Sequence, residues 1–219
     1  MYVKGREHEI HHVYLYHGMQ SWKSISSSLS PVPHLGIDDE VVVLGALNYD
    51  ILVDSPIEIG NHVIEVFETC GARHEVAVVS NMPVDTQWIA EQCKLIVETE
   101  AAMFGGVPYD RYVFMIQVGA NIFGGLEHSR SSVNMIDYSA FADKSTAGKL
   151  LALLCHEYFH TWNVKRIKPA AFMPYHLHQE CDTELLWLSE GFTAYYQDVM
   201  MIRAGVYSEA AFLDALSET

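Results

Sequence analysis

Basic residues are few: 13 Lys and Arg stand against 28 Asp and Glu in 219 residues, a formal net charge of −15 with histidine neutral. Such a balance repels nucleic-acid phosphate and anionic lipid headgroups, so neither nucleic acid nor membrane is expected as a partner. Cysteine is scarce as well. The four copies, Cys70, Cys93, Cys155 and Cys181, are dispersed and include no C-x-x-C pair, which points to a reduced, cytoplasmic setting rather than a disulfide scaffold. Long apolar runs are missing. The longest, around Val41–Tyr49 and Leu150–Cys155, fall well short of the roughly 20 residues a bilayer span needs. The first eight residues also lack the apolar stretch of a secretory signal. They lead directly into strand-like sequence, so the chain reads as a fragment and an upstream signal stays open. Disorder is excluded by what is present: 50% of residues are apolar and only 19% charged. A chain of this length buries roughly 70% of its unfolded surface and carries one sizeable core.

Residues 1–60 read as a partial β-rich domain. His12–Tyr16 and Glu40–Leu44 are strand-like, the Ser- and Pro-dense stretch Ser24–Pro33 between them reads as a loop, and Asp54–Gly60 closes the region between turns. Strands are expected at Val63–Phe67 and His74–Val79. The period then becomes helical: Trp88, Ile89, Cys93, Ile96, Val97, Ala101 and Phe104 recur at helix spacing between Pro83 and Gly105-Gly106. Strands return at Arg111–Val118 and Ser131–Ile136, with a turn at Asn121–Gly125. Two further helices are predicted, Thr146–Ile167 before Pro169 and Thr183–Arg203 before Gly205. Strands first and helices later define an α+β class, with residues 61–219 as the main domain.

Chemistry concentrates in His156-Glu157-Tyr158-Phe159-His160. In a helix, residues four apart lie about 40° apart in azimuth and about 6 Å apart along the axis, so both imidazoles reach one ion. Glu157 then sits at the flank, placed to take a proton from water. With twelve His and seventeen Glu, H-E-x-x-H arises by chance in about one such chain in twenty. Burial weighs against chance: Leu150, Leu151, Leu153, Leu154, Tyr158 and Phe159 make the helix apolar nearly all round. Imidazoles and a carboxylate in such a helix need a partner, and Zn2+ is the simplest. A catalytic zinc takes three protein ligands and leaves one position open. Glu190, thirty residues beyond His160 among Leu186, Trp187, Phe192 and Tyr195, is the best third ligand; the alternative is that it faces solvent. Glu180 and Glu184 are weaker candidates.

His156-Glu-Tyr-Phe-His-Thr-Trp-Asn-Val-Lys-Arg-Ile-Lys-Pro169, followed by Leu186-Trp-Leu-Ser-Glu-Gly-Phe-Thr-Ala-Tyr-Tyr196, resembles the glycyl aminopeptidases, zinc metallopeptidases of the gluzincin group. Leu52–Gly60 and Gly124-Gly-Leu-Glu-His-Ser129 look like further segments of that family. The resemblance implies a thermolysin-like catalytic domain over residues 61–219, a mixed sheet with active-site helices, preceded by part of the family's β-rich domain. The resemblance also implies that the helical subdomain and any PDZ domain with which relatives continue are missing from these residues. It further implies His156, His160 and Glu190 as zinc ligands, Glu157 as general base, and peptide substrates cleaved at the N-terminus, with small residues such as Gly or Ala favoured. Gly125 and Glu127 match the exopeptidase segment of related aminopeptidases, where a Glu holds the substrate's free amine; His128 stands where those relatives have Asn. The second oxyanion stabiliser of those relatives lies beyond Thr219.

Alternatives remain at this level: an endopeptidase on the same scaffold, or a non-catalytic fragment that binds a peptide or partner chain. Glu127 also reads as a polar residue after a Gly-Gly turn. Tyr195 and Tyr196 read equally as packing or as oxyanion donors. Trp162 and Asn163 either buttress the ligands or cap the helix, and Lys165, Arg166 and Lys168 read as charges favourable at a helix C-terminus. Cys155 reads as a packing thiol. His8, His11, His12 and His17 read as surface histidines. The oligomeric state is not legible.

Overall fold

The computed structural model describes residues 4–16, 21–35, 41–142, 147–175 and 179–217. Its first five strands are β1 (His11–Tyr16), β2 (Ser24–Ser27), β3 (Ser30–Pro31), β4 (Val41–Ala46) and β5 (Ile57–Gly60), with the short helix α1 (Tyr49–Val53) before β5. They form two small sheets: β1-β4-β3, and β2 with β5. Leu29, Leu44 and Ala46 make the centre of a separate apolar cluster there. The stretch Ser24–Pro33 is therefore not a plain loop, and its serines explain why. Ser26 and Ser27 are buried, the Ser26 hydroxyl 2.9 Å from His62 Nε2 and the Ser27 hydroxyl accepting from Leu29 N–H at 3.2 Å. Buried hydroxyls with partners cost little, so pairing with β5 overrides low strand propensity.

The larger sheet comprises β6 (Val63–Thr69), β7 (Ala72–Val79), β8 (Arg111–Gly119), β9 (Gly124–Glu127) and β10 (Ser131–Asp137), in the order β6-β7-β8-β10-β9. β7, β8 and β10 run parallel, while both edge strands, β6 and β9, run antiparallel to their neighbours. Tyr112, Val113, Phe114, Met115 and Ile116 on central β8 are buried without alternation, as expected where a parallel strand is covered on both faces. The crossover from β7 to β8 is α2 (Thr86–Phe104). Asp85 caps its start by accepting from Trp88 N–H at 3.0 Å, and Gly105, at φ 79°, closes it in the left-handed conformation.

Helix α3 (Gly148–Phe159) is the central helix of the core: Leu150, Leu151, Leu154, Cys155, Tyr158 and Phe159 join the strand residues in one cluster. It is shorter than the periodicity of 146–167 predicts, and residue 146 lies outside the described residues. After His160 the chain hooks rather than coils. Val164 takes φ 128°, and the carbonyls of His160 and Trp162 receive Lys165 N–H and Ile167 N–H instead of continuing the α ladder. The helix predicted over 183–203 is likewise divided. A π-helical turn, Trp187–Gly191, leads into α4 (Phe192–Arg203), which packs on α3. A last helix, α5 (Glu209–Ser217), packs on α4. Among the described residues no helix is long and apolar enough to cross a membrane.

Candidate active site

The C-terminal turn of α3 presents His156, Glu157 and His160, and the π-turn before α4 presents Glu190 opposite them. Glu190 Oε2 lies 3.3 Å from His156 Nε2 and 3.5 Å from His160 Nε2. These are the spacings that a common cation requires: nitrogen and oxygen ligands at about 2.0–2.1 Å in a tetrahedron stand about 3.3 Å from one another. The far side of each ring is already committed. His160 Nδ1–H donates to the Asn163 carbonyl at 2.9 Å, and His156 Nδ1 is 3.2 Å from Gln197 Oε1. A carbonyl can only accept, so each Nδ1 carries the proton, and in the neutral ring the Nε2 lone pair then faces Glu190, the tautomer that a metal ligand needs. Burial, and then the charge of His160, push the His156 imidazole below its ordinary value against the pull of Glu190. The residues present thus fit a zinc ion.

Glu157 and Glu127 form a second convergence. Donor atoms of Glu127, Glu157 and His160 lie within 4.8 Å of one another, as do those of His156, His160 and Glu190. Edge strand β9 brings Glu127 there. Alternation along the strand puts residues 125 and 127 on one face, the face towards α3. Glycine at 125 makes room for Glu157: a Cβ built there would overlap the Glu157 carboxylate unless that side chain or the strand moved, and the residue has no left-handed φ to explain the choice. Glu157 is 5% exposed. Burial first, then the neighbouring carboxylates of Glu127 and Glu190, push its carboxyl up to about 8. A carboxyl so placed holds or releases a proton near neutrality.

Asp54, in the segment between α1 and β5, ties the surroundings together. Its Oδ1 is 2.8 Å from Lys165 Nζ and 3.3 Å from His128 Nδ1, and its Oδ2 accepts from Ser129 N–H at 2.8 Å. Burial alone would raise the Asp54 carboxyl. The His128 hydrogen bond, the charge and hydrogen bond of Lys165 and the Ser129 amide outweigh it and hold the group well below the usual carboxylate range. Arg166 donates to the carbonyls of Thr161, Ser129 and Pro108, and Lys168 lies 5.2 Å from the Tyr175 ring centroid. These three cations therefore bind the hook to its neighbours, because the helix whose dipole they were expected to complement ends earlier.

Other candidates sort themselves by packing. Trp162 stacks on Phe104 at 4.5 Å, and Tyr196 on Phe159 at 5.3 Å, whereas Tyr195 is exposed. Cys155 turns away from the imidazoles, its thiol 3.1 Å from the buried carboxyl of Glu100. His8, His11 and His12 belong to neither donor group, and His17 lies outside the described residues. Sequence reasoning did not find Gln197 or Thr193. Gln197 follows Glu190 by seven residues, close to two helical turns, a spacing that the π-turn at 187–191 offsets, so it left no clean signal.

The mixed sheet with its packed helices is a fold shared with aminopeptidase and zinc metallopeptidase structures. An aminopeptidase N family protein from Idiomarina loihiensis superposes with a TM-score of 0.85 and 32% identity over 96% of this chain. The M1 zinc metallopeptidase from Deinococcus radiodurans shares the fold with a TM-score of 0.59 and 15% identity over 90% of the chain. The chain spans 37% and 41% of the lengths of these two proteins. The profile of the M61 glycyl aminopeptidases matches residues 149–219, about a third of the chain and the part that holds both histidines and Glu190. No curated protein matches it in sequence.

Proposed function

We propose that this chain is the catalytic part of a zinc-dependent aminopeptidase that removes N-terminal residues from peptides, small residues such as Gly and Ala among them. The observation that carries this reading is the joining of two donor groups at His160: a metal-fitting triad with Glu190, and a carboxylate pair, Glu157 and Glu127, beside it. His156, His160 and Glu190 would hold the zinc. When bound, zinc supplies Lewis acidity, polarising the scissile carbonyl and acidifying water. The Glu157 carboxylate takes the proton from the attacking water and delivers it to the leaving amine nitrogen. Glu127 offers a negative group to the substrate's ammonium, which fixes the N-terminal residue against the metal-facing side. β9 ends the sheet at this edge, so a substrate backbone has a strand to add to.

The names carried by the Idiomarina protein and the M61 family support peptide hydrolysis from the N-terminus. Glu157→Gln is expected to retain one zinc per chain while turnover falls by at least about 10²-fold, the size of a general-base contribution. Peptides with a free amine should be cleaved and their N-acetylated forms left intact. Equal cleavage of both would move the reading to an endopeptidase. Full turnover by Glu157→Gln would end it.

A further inference from the structure

The turn that presents Glu190 is not an ordinary helix. Residues Trp187–Gly191 are π-helical and continue into α4. A π-turn inserts one residue into the helical register, which rotates what precedes it by about 100° relative to the α-helix that follows. It also needs other donors for carbonyls that have lost their regular partners. Here the side chains of Asn163 and Thr193 reach two of those carbonyls. Asn163 Nδ2 lies 3.3 Å from the Leu188 carbonyl, 3.0 Å from the Ser189 carbonyl and 3.0 Å from Thr193 Oγ1. The Thr193 hydroxyl donates in turn to the Ser189 carbonyl at 2.7 Å. The backbone carbonyl of the same Asn163 accepts from His160 Nδ1 at 2.9 Å. His160, Ser189 and Thr193 are all buried, so water does not compete for these bonds.

We propose that Asn163 is a positioning residue for the metal site, one that ties the orientation of His160 to the π-register of residues 187–191 and so aims Glu190 at the two Nε2 atoms. This rests on the zinc reading of His156, His160 and Glu190. Without the amide, the Leu188 carbonyl loses its side-chain donor and the Ser189 carbonyl keeps only the Thr193 hydroxyl, so the turn relaxes towards α-helix and Glu190 swings away while α4 stays packed on α3. Outer partners of metal ligands are commonly worth about 10- to 100-fold in metal affinity, and the loss should fall in that range.

The test uses the full chain, stripped of metal, with zinc affinity measured by competition with a chromophoric chelator and the ligand field read from the visible spectrum of the cobalt(II) form. Asn163→Ala should bind zinc about 10- to 100-fold more weakly and show an altered cobalt spectrum. Asn163→Ser, which keeps one short donor, should fall between it and the parent, and it decides the question if the alanine variant does not fold. Thr193→Ser trims a methyl from the same cluster but keeps the hydroxyl that meets the amide and the Ser189 carbonyl and lies 3.4 Å from His160 Nδ1, so its affinity should stay within about threefold of the parent, far from the 10- to 100-fold range. An Asn163 variant that folds and keeps parental affinity and spectrum overturns the proposal. So does a Thr193→Ser loss as large as that of Asn163→Ala, since the effect would then be general loosening. A parent chain that binds no zinc, or a His160→Ala variant that binds it equally well, overturns the zinc reading itself, and is recognised before the Asn163 variants are compared.

Discussion

Gly125→Ala adds a single methyl group at the point where β9 meets Glu157, the proposed general base. The methyl would overlap the Glu157 side chain at its carboxylate and at Cγ, so one of the two must retreat by about 1 Å to regain ordinary contact. Glu157 can yield by leaving its rotamer, at about 0.5–1.5 kcal/mol. Alternatively β9 can yield, being outermost in its sheet, and it then carries Glu127 with it. Either way the separation of the two carboxylates changes while the metal-fitting triad is untouched. A misplacement of about 1 Å at a reacting group costs on the order of 10²-fold in rate. Overpacking costs about 1–3 kcal/mol of stability, a drop of about 2–12 °C in melting temperature for a chain of this size. The assay is steady-state hydrolysis of a free-amine peptide with N-terminal Ala, with zinc content and melting temperature measured on the same preparation. Turnover within threefold of the parent at equal zinc content, in a folded variant, would refute the role assigned to this glycine.

Asp54→Asn should lower stability at neutral pH by roughly 1.5–3 kcal/mol, the scale for hydrogen bonds to a charged group, since the pair with Lys165 is only partly buried. Because the folded carboxyl is held below its unfolded value of about 3.9, this contribution is present above that pH and disappears as the pH falls towards the folded value. The melting temperatures of parent and variant should therefore converge in acid. His74, stacked on Phe67 at 4.8 Å and 2.9 Å from the Tyr109 hydroxyl, is lowered by burial to about 4. The unfolded chain binds the proton more readily, so the parent should lose up to about 1.4 kcal/mol per pH unit as pH falls between about 6.5 and 4. His74→Phe should flatten that slope, and a variant with the parent's slope would show that His74 is not the group titrating.

Sequence alone determined the chemistry-bearing pair. H-E-x-x-H inside an apolar helix is a local pattern, readable because four residues make slightly more than one turn and because the surrounding leucines announce burial. Parallel strand β8 and helix α2 were legible for the same reason, each being a run long enough for its own period to dominate. Tertiary structure decided the rest. Ser24–Ser27 became a strand because β5 lay beside it. The histidine helix stopped at Phe159 because Asn163 and the hook after it satisfied the backbone in another way. The helix ahead of Arg203 widened into a π-turn because the amide of Asn163, 25 to 30 residues away in the chain, met its carbonyls and the Thr193 hydroxyl. Periodicity reports what a segment does with its own neighbours in sequence. The aim of Glu190, the spacing of Glu157 from β9 and the anchoring of Lys165 on Asp54 depend on neighbours in space, and no window along the chain contains them.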